Sequence, residues 1–187
     1  MNFTPQHIPD VVLIEPCLFN DERGYFFESF NLEKLQRALN RDLSFVQGNE
    51  SFSRQNVIRG LHYQVGRPQG KLVRVVAGEV FDVAVDLRKH SPTFGQWVGA
   101  LLSAENNHQL WIPEGFAHGF QVISATAKLQ YLVTDYWCPQ YDRCIRFDDP
   151  DIQVQWRKVM APAAGMLEPI LSDKDQSGKV LADAEVF

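Results

Sequence analysis

Arg59, Gly60 and His62 stand inside a run that otherwise reads as an apolar β-strand, Val57-Ile58-Arg59-Gly60-Leu61-His62-Tyr63-Gln64. A strand normally keeps such groups on its wet face or does without them. A guanidinium is an always-charged fork for anions, and imidazole is the side chain that titrates near neutral pH. Three residues apart, they suggest a pocket that holds an anionic ligand beside a proton-transfer base. For a lone histidine in such a run, a buried ring satisfied by hydrogen bonds is the commoner outcome. Strand alternation puts His62 on the face of Ile58, Gly60 and Gln64, with Arg59 and Leu61 opposite. For Arg59 and His62 to meet one ligand the strand must bulge or bend, and Gly60 permits that.

Three more residues could join such a site. Lys71 opens the next strand after the turn Gly66-Arg67-Pro68-Gln69-Gly70, and hairpin geometry would return it to the His62 strand. There an ammonium could steady an oxyanion or phosphate, or it is simply a solvated lysine at a strand start. His118 lies between the turn at Pro113 and a following strand, a position that suits a barrel mouth. Tyr131 shares a face with Leu129 and Val133; it could donate a proton, although spacing alone favours a core aromatic. Small β-barrels often hold metal through two histidines at i and i+2, but Gln64 occupies that position after His62, and neither H-x-H nor H-E-x-x-H occurs. Metal is therefore not expected, and His62 is left available as a base. Ser51 and Ser53 sit in no nucleophile elbow, no cysteine has an evident electropositive setting, and a glycine-rich phosphate loop is missing.

The elements that must position these groups are mostly strands. Residues 11–14 read as a short strand, followed by Pro16 and a loop over residues 19–24. Leu32, Leu35 and Leu39 predict a helix over residues 32–40 capped by Asn31, with Glu33 and Arg37 one turn apart. Residues 72–77 and 79–87 flank Gly78 and predict a hairpin. Further short strands are expected at 96–102, 107–112, 119–123 and 128–136, and the tail from Asp148, with Pro150, Pro162 and Pro169, reads as irregular with some helix. Many short strands at regular spacing mean a sandwich or barrel. With 187 residues and no repeat or linker, the chain reads as one domain, residues 1–187.

Net charge of −5 gives no global field for nucleic acid, so any phosphate must be met by locally placed Arg and Lys. Residues 1–10 have neither a basic start nor an apolar run, and no stretch reaches membrane-spanning length. Cys17, Cys138 and Cys144 form no C-x-x-C pair and are odd in number, which argues against a disulfide framework and for a cytoplasmic protein.

The chain resembles, nearly end to end, the dTDP-4-dehydrorhamnose 3,5-epimerases of dTDP-L-rhamnose synthesis. The likeness runs through Phe19-Asn20-Asp21-Glu22-Arg23-Gly24-Tyr25-Phe26-Phe27-Glu28, Phe45-Val46-Gln47-Gly48-Asn49, the Arg59 to Gln64 motif and Gly70-Lys71-Leu72-Val73-Arg74. It continues through residues 78–88, Ser91-Pro92-Thr93-Phe94-Gly95, residues 111–120 and Leu171-Ser172-Asp173-Lys174-Asp175. The resemblance implies a mainly β, metal-free, cupin-type jelly-roll barrel or sandwich with short peripheral helices. It further implies a homodimer whose N-terminal segment lends residues to the neighbouring site. No cofactor, nucleic acid or membrane is expected as a partner.

By the same resemblance His62 is the base, oriented by Asp175, and Tyr131 is the acid. Arg23, Glu28, Gln47, Asn49, Arg59, Lys71, His118 and Lys174 bind substrate, and Tyr136 helps to hold the thymine. Asp142-Arg143-Cys144 departs from the usual Glu-Arg-Gly or Glu-Gly, so the matching ligand-binding carboxylate is Asp142, one methylene shorter; Cys144 replaces a glycine, and Trp137 stands where a second tyrosine is common. The implied reaction converts dTDP-4-dehydro-6-deoxy-D-glucose to dTDP-4-dehydro-L-rhamnose, an intermediate of surface polysaccharides such as O-antigen. A 4-keto group acidifies C3 and C5, a base removes one proton, and an acid returns one on the opposite face. Lys71 and His118 would carry charge on the C4 oxygen, while Arg23, Arg59 and Lys174 would neutralise the diphosphate. The rivals are a single-carbon epimerase or ketoisomerase of the same fold, a non-catalytic nucleotide-sugar binding module, and a metal-dependent cupin oxygenase.

Overall fold

The computed structural model describes residues 1–161 and 165–187. Its elements in chain order are β1 (Asn2–Pro5), β2 (Val12–Glu15), β3 (Phe19–Asp21), β4 (Gly24–Phe26), α1 (Leu32–Leu39), β5 (Gln47–Arg54), β6 (Ile58–Gln64), β7 (Lys71–Ala77) and β8 (Glu79–Asp86). They continue with β9 (Trp97–Ser103), β10 (Gln109–Ile112), β11 (Phe116–Val122), β12 (Thr126–Val133), β13 (Asp142–Cys144), β14 (Met160–Ala161), β15 (Gly165–Met166) and α2 (Asp173–Gln176). A six-stranded sheet, β1-β2-β10-β7-β12-β5, faces a five-stranded sheet, β13-β6-β11-β8-β9, and the strand pairs in both are antiparallel. Pro162 lies outside the described residues.

The pleat decides what each face buries. Along β7 and β12, Val73, Val75, Ala127 and Leu129 point inward and meet Val80, Ala84, Phe120 and Val122 from the opposite sheet in the principal core. The outer face of the five-stranded sheet is covered as well, since Phe81, Val83 and Val85 pack under Ile145, Ile152 and Val154 of the C-terminal segment. Burial on both sides is why β8 reads as an almost continuous apolar run. On the other sheet Leu72 and Trp111 pack outward against Leu35 of α1. That helix begins at Asn31, whose side chain accepts from the Lys34 N–H, and ends at Asn40 in the left-handed region.

The structure corrects several expectations about local pairing. β7 and β8 are not a hairpin: they lie in different sheets, and Gly78, at φ +75°, turns the chain from one to the other. β6 and β7 likewise belong to opposite sheets, so Lys71 reaches the His62 strand across the sandwich rather than along a ladder. Residues 19–24 are no loop but most of the β3–β4 hairpin, with Phe19 paired to Phe26. β11 starts at Phe116 rather than Gly119, and β12 ends at Val133 rather than Tyr136.

Candidate active site

A cavity of about 470 Å³ opens between the two sheets, lined by Gln47, Asn49, Arg59, His62, Lys71, His118, Tyr131, Asp142 and Lys174 among others. Its size suits a small-molecule ligand. A second cavity of about 380 Å³ lies against the outer face of the six-stranded sheet, where Gly48, Leu72, Arg74 and Leu132 line it. His62 and His118, each paired with a buried carboxylate, line the first.

His62 and Arg59 reach the same cavity through a bulge. In the ladder with β11, His118 stands opposite His62 and Phe120 opposite Arg59, so three steps on β6 match two on β11. Gly60 sits inside this step at φ +124°. A Cβ there would lie 2.5 Å from the Gly119 Cα, so both glycines are needed where the two backbones touch. Arg59 then reaches across to β5, donating from Nε to the Ser53 Oγ at 3.0 Å and from a terminal nitrogen to the Phe52 carbonyl.

His62 Nε2 lies 2.6 Å from Oδ1 of Asp175, whose side chain is almost fully buried. Asp175 also accepts from the Gly60 N–H and, through Oδ2, from the Ser172 hydroxyl at 2.6 Å. Burial works to raise the Asp175 pKa, but the hydrogen bonds from His62 and Ser172 outweigh it and hold the carboxyl at about 2. Burial pushes the His62 pKa below its ordinary value despite the Asp175 hydrogen bond. At neutral pH the ring is therefore neutral, donates Nε2–H to an ionised carboxylate, and keeps its lone pair on Nδ1. Ser172 caps α2 and accepts from the Asp175 N–H at 3.2 Å, so the cap and the orienting carboxylate are one unit.

Lys71 is buried, and its Nζ donates to the His62 carbonyl at 3.2 Å. Desolvation lowers its pKa to about 8. His118 forms a second histidine–carboxylate pair: its Nε2 is 3.0 Å from Asp82, which is fully buried. Tyr131 comes from β12 in the opposite sheet, and burial raises its pKa. It packs against the principal core and also lines the cavity, so its place as a core aromatic does not keep it from the cavity. Also in the cavity lining, Lys174 of α2 pairs with Asp142 of β13 at 2.5 Å, and Trp137 Nε1 reaches the same carboxylate oxygen.

Four expected site residues do not line this cavity: Asp175 is bonded to His62 from outside it, and Arg23, Glu28 and Tyr136 are placed elsewhere. Arg23 sits at the tip of the β3–β4 hairpin, 89% exposed and bonded to Asp21; that hairpin is a two-stranded sheet of its own and pairs with neither main sheet. Glu28 is held beside α1 by Lys34 and Asn31. Tyr136 lies outside under the Arg67 guanidinium, and the neighbouring Trp137 lines the cavity instead. Asp82 and Ser172 are functional candidates that the sequence reading does not assign, and Trp137, noted there as a departure from the family pattern, lines the cavity. A carboxylate within the apolar run Val80-Phe81-Asp82-Val83-Ala84 demands a partner, and that signal could have found Asp82.

A two-sheet antiparallel barrel of cupin type, with a histidine and a tyrosine from opposite sheets lining one cavity beside a buried ammonium, offers side chains suited to acid–base chemistry. Residues 5–183 match the family described as dTDP-4-dehydrorhamnose 3,5-epimerase. A dTDP-4-dehydrorhamnose 3,5-epimerase from Pseudomonas aeruginosa is 54% identical over 187 residues, covering 100% of this chain and 99% of the relative. The crystal structure of a dTDP-6-deoxy-D-glucose-3,5-epimerase from Legionella pneumophila, in complex with dTDP-4-keto-L-rhamnose, superposes with a TM-score of 0.91 at 47% identity, covering 98% and 94% of the two chains. A 3'-monoepimerase from Streptomyces bikiniensis in complex with dTDP-quinovose gives 0.84 at 32% identity, covering 95% and 87%. The chain belongs to the dTDP-4-dehydrorhamnose 3,5-epimerase family.

Proposed function

We infer that this protein converts dTDP-4-dehydro-6-deoxy-D-glucose to dTDP-4-dehydro-L-rhamnose by removing and returning protons at C3 and C5. The observation that carries the reading is the placement of His62 and Tyr131 on opposite sheets across one cavity. Inversion needs a base on one face of the sugar and a donor on the other, and simple exchange needs only the base. We assign His62 Nδ1 as the base and Asp175 as the group that orients it and steadies the imidazolium. The enolate oxygen falls to Lys71 and His118, with Asp82 positioning His118. Tyr131, kept protonated by burial, donates on the far face.

The rest of the cavity is assigned to the nucleotide. Arg59 and Lys174 are the cations available for the diphosphate, Gln47 and Asn49 supply amides, and Asp142 with Trp137 lies at the same end as Lys174. We propose that residues 1–187 work as one catalytic unit in a homodimer, with Arg23 and Glu28 serving the neighbouring subunit. Their absence from this cavity's lining supports it, as does the exposure of Phe19 and Phe26 on the hairpin that carries Arg23, 62% and 72%. Mixing Arg23→Ala with His62→Ala subunits then restores activity through hybrid sites, and a mixture as inactive as its parents overturns the exchange. Among the described residues no helix is long and apolar enough to cross a membrane; a reducing cytoplasm suits the three free cysteines.

A single-carbon epimerase is the second reading, because a 3'-monoepimerase shares the fold. Incubation with dTDP-4-keto-6-deoxyglucose in heavy water separates the two. Deuterium at both C3 and C5, with L-rhamno product trapped by a reductase, supports the double epimerase. Deuterium at C3 alone supports the other.

A further inference from the structure

Cys144 stands directly opposite His62 on the β6–β13 ladder. Its Sγ lies 3.9 Å from Asp175 Oδ1, the oxygen that accepts from His62 Nε2 at 2.6 Å. One donor atom each from His62, Cys144 and Asp175 falls within 4.8 Å of the others. The mechanism uses the imidazole and the carboxylate and has no task for the thiol.

We propose that these three side chains form an exchangeable, inhibitory site for a thiophilic divalent cation of the zinc or cadmium type. Zinc binds thiolate at about 2.3 Å and imidazole nitrogen or carboxylate oxygen at about 2.0–2.2 Å, almost always tetrahedrally. Such an ion sets its donors about 3.3–3.6 Å apart, between the closest and widest separations here. Side-chain movements of about an ångström complete the set, with water as the fourth ligand. One thiolate and one carboxylate neutralise the ion's charge. Desolvation pushes the Cys144 thiol up to about 12, so the proton leaves only when the cation takes its place.

The proton balance explains why binding would inhibit. The cation replaces the Cys144 proton, which goes to solvent. It also claims the Nε2 lone pair, so the ring proton now on Nε2 moves to Nδ1. The imidazole remains neutral, but the nitrogen assigned as base is capped and Asp175 no longer orients it. Occupancy of the site rests on the three donors alone, whereas the inhibition rests also on the reading of His62 as the base.

The test uses full-length protein carrying Cys17→Ala and Cys138→Ala, which leaves one thiol. Cadmium alone is titrated while the ultraviolet thiolate-to-cadmium absorption is followed, and zinc is titrated in the heavy-water exchange assay. The expected result is one cadmium per chain with a thiolate band that vanishes in Cys144→Ala and Cys144→Ser. Each of these variants should raise the zinc concentration for half-inhibition at least about tenfold, and a chelator should restore the wild-type rate. No thiolate band, or a zinc sensitivity unchanged in both Cys144 variants, overturns the site. A band at one equivalent with undiminished exchange upholds the site and counts instead against His62 as the base.

Discussion

Replacing Asp175 with Asn isolates the contribution of the His62 dyad. The carboxylate does not line the cavity, so substrate contacts stay and KM should change little. Its bond to His62 is short, at 2.6 Å, and almost fully buried. A hydrogen bond to a charged group contributes about 1.5–3 kcal/mol, and each 1.36 kcal/mol is tenfold in rate, so its loss alone costs about 10- to 150-fold in kcat. The amide adds a second effect. Its NH2 can donate to Nε2, which moves the ring proton to Nδ1 and removes the base; a wrong tautomer of this kind costs about 10⁴-fold in a serine-protease dyad. The expected fall in kcat therefore lies between about 10² and 10⁴. Deuterium incorporation at C3 and C5 by NMR reads it directly. Thermal unfolding must accompany the assay, because Asp175 also accepts from Gly60 N–H and Ser172. A folded Asp175→Asn protein that keeps kcat within about threefold of wild type refutes the dyad.

Other outcomes follow from the same geometry. Tyr131→Phe should wash deuterium into the substrate while giving no inverted product, as followed by NMR and reductase trapping; full turnover would remove Tyr131 as the acid. Lys71 must be an ammonium to steady the enolate, and desolvation sets it at about 8, so the rate should fall as pH rises through that value. Lys71→Arg should carry this alkaline limb to higher pH in the kcat profile, and an unmoved limb assigns it to another group. Asp86 is fully buried and accepts from Arg88, Ser91 and Thr93, so Asp86→Asn should destabilise by about 2–4 kcal/mol in denaturant unfolding. Burial opposes ionisation there, but those bonds hold the pKa at about 2, below the ordinary carboxyl value. The stability they contribute is complete above the unfolded-state pKa and lost as pH falls towards 2.

Much of this was legible in the residues, and the failures have physical causes. Asn31 and the leucine spacing predict α1, and its observed cap and span agree within a residue. The strand character of β8 is plain, but its partners are not. A glycine between two apolar runs marks a reversal without saying whether the second strand returns to the same sheet, so Gly78 reads as a hairpin where the fold has a corner. β5 reads Gln47-Gly48-Asn49-Glu50-Ser51-Phe52-Ser53-Arg54; with one apolar side chain it carries no period-two signal, and it is a strand because β12 pairs along its whole length. Alternation alone would separate Arg59 from His62. Only the possibility of a bulge at Gly60 reconciled them, and the register of β11 supplies it. The His62–Asp175 contact, 113 residues apart in sequence, came from family resemblance and not from spacing. Arg23 and Glu28 came the same way, and within one chain they lie outside the cavity.

The central claim is that one cavity carries a base and an acid on opposite faces of the sugar. It is tested most directly by incubating wild-type, His62→Ala and Tyr131→Phe proteins with dTDP-4-keto-6-deoxyglucose in heavy water and following C3 and C5 by NMR. Wild type should incorporate deuterium at both carbons and deliver the L-rhamno product, His62→Ala should bind the nucleotide sugar without exchange at either carbon, and Tyr131→Phe should exchange without inversion. Exchange at both carbons in a folded His62→Ala protein, at a rate near wild type, would contradict the account.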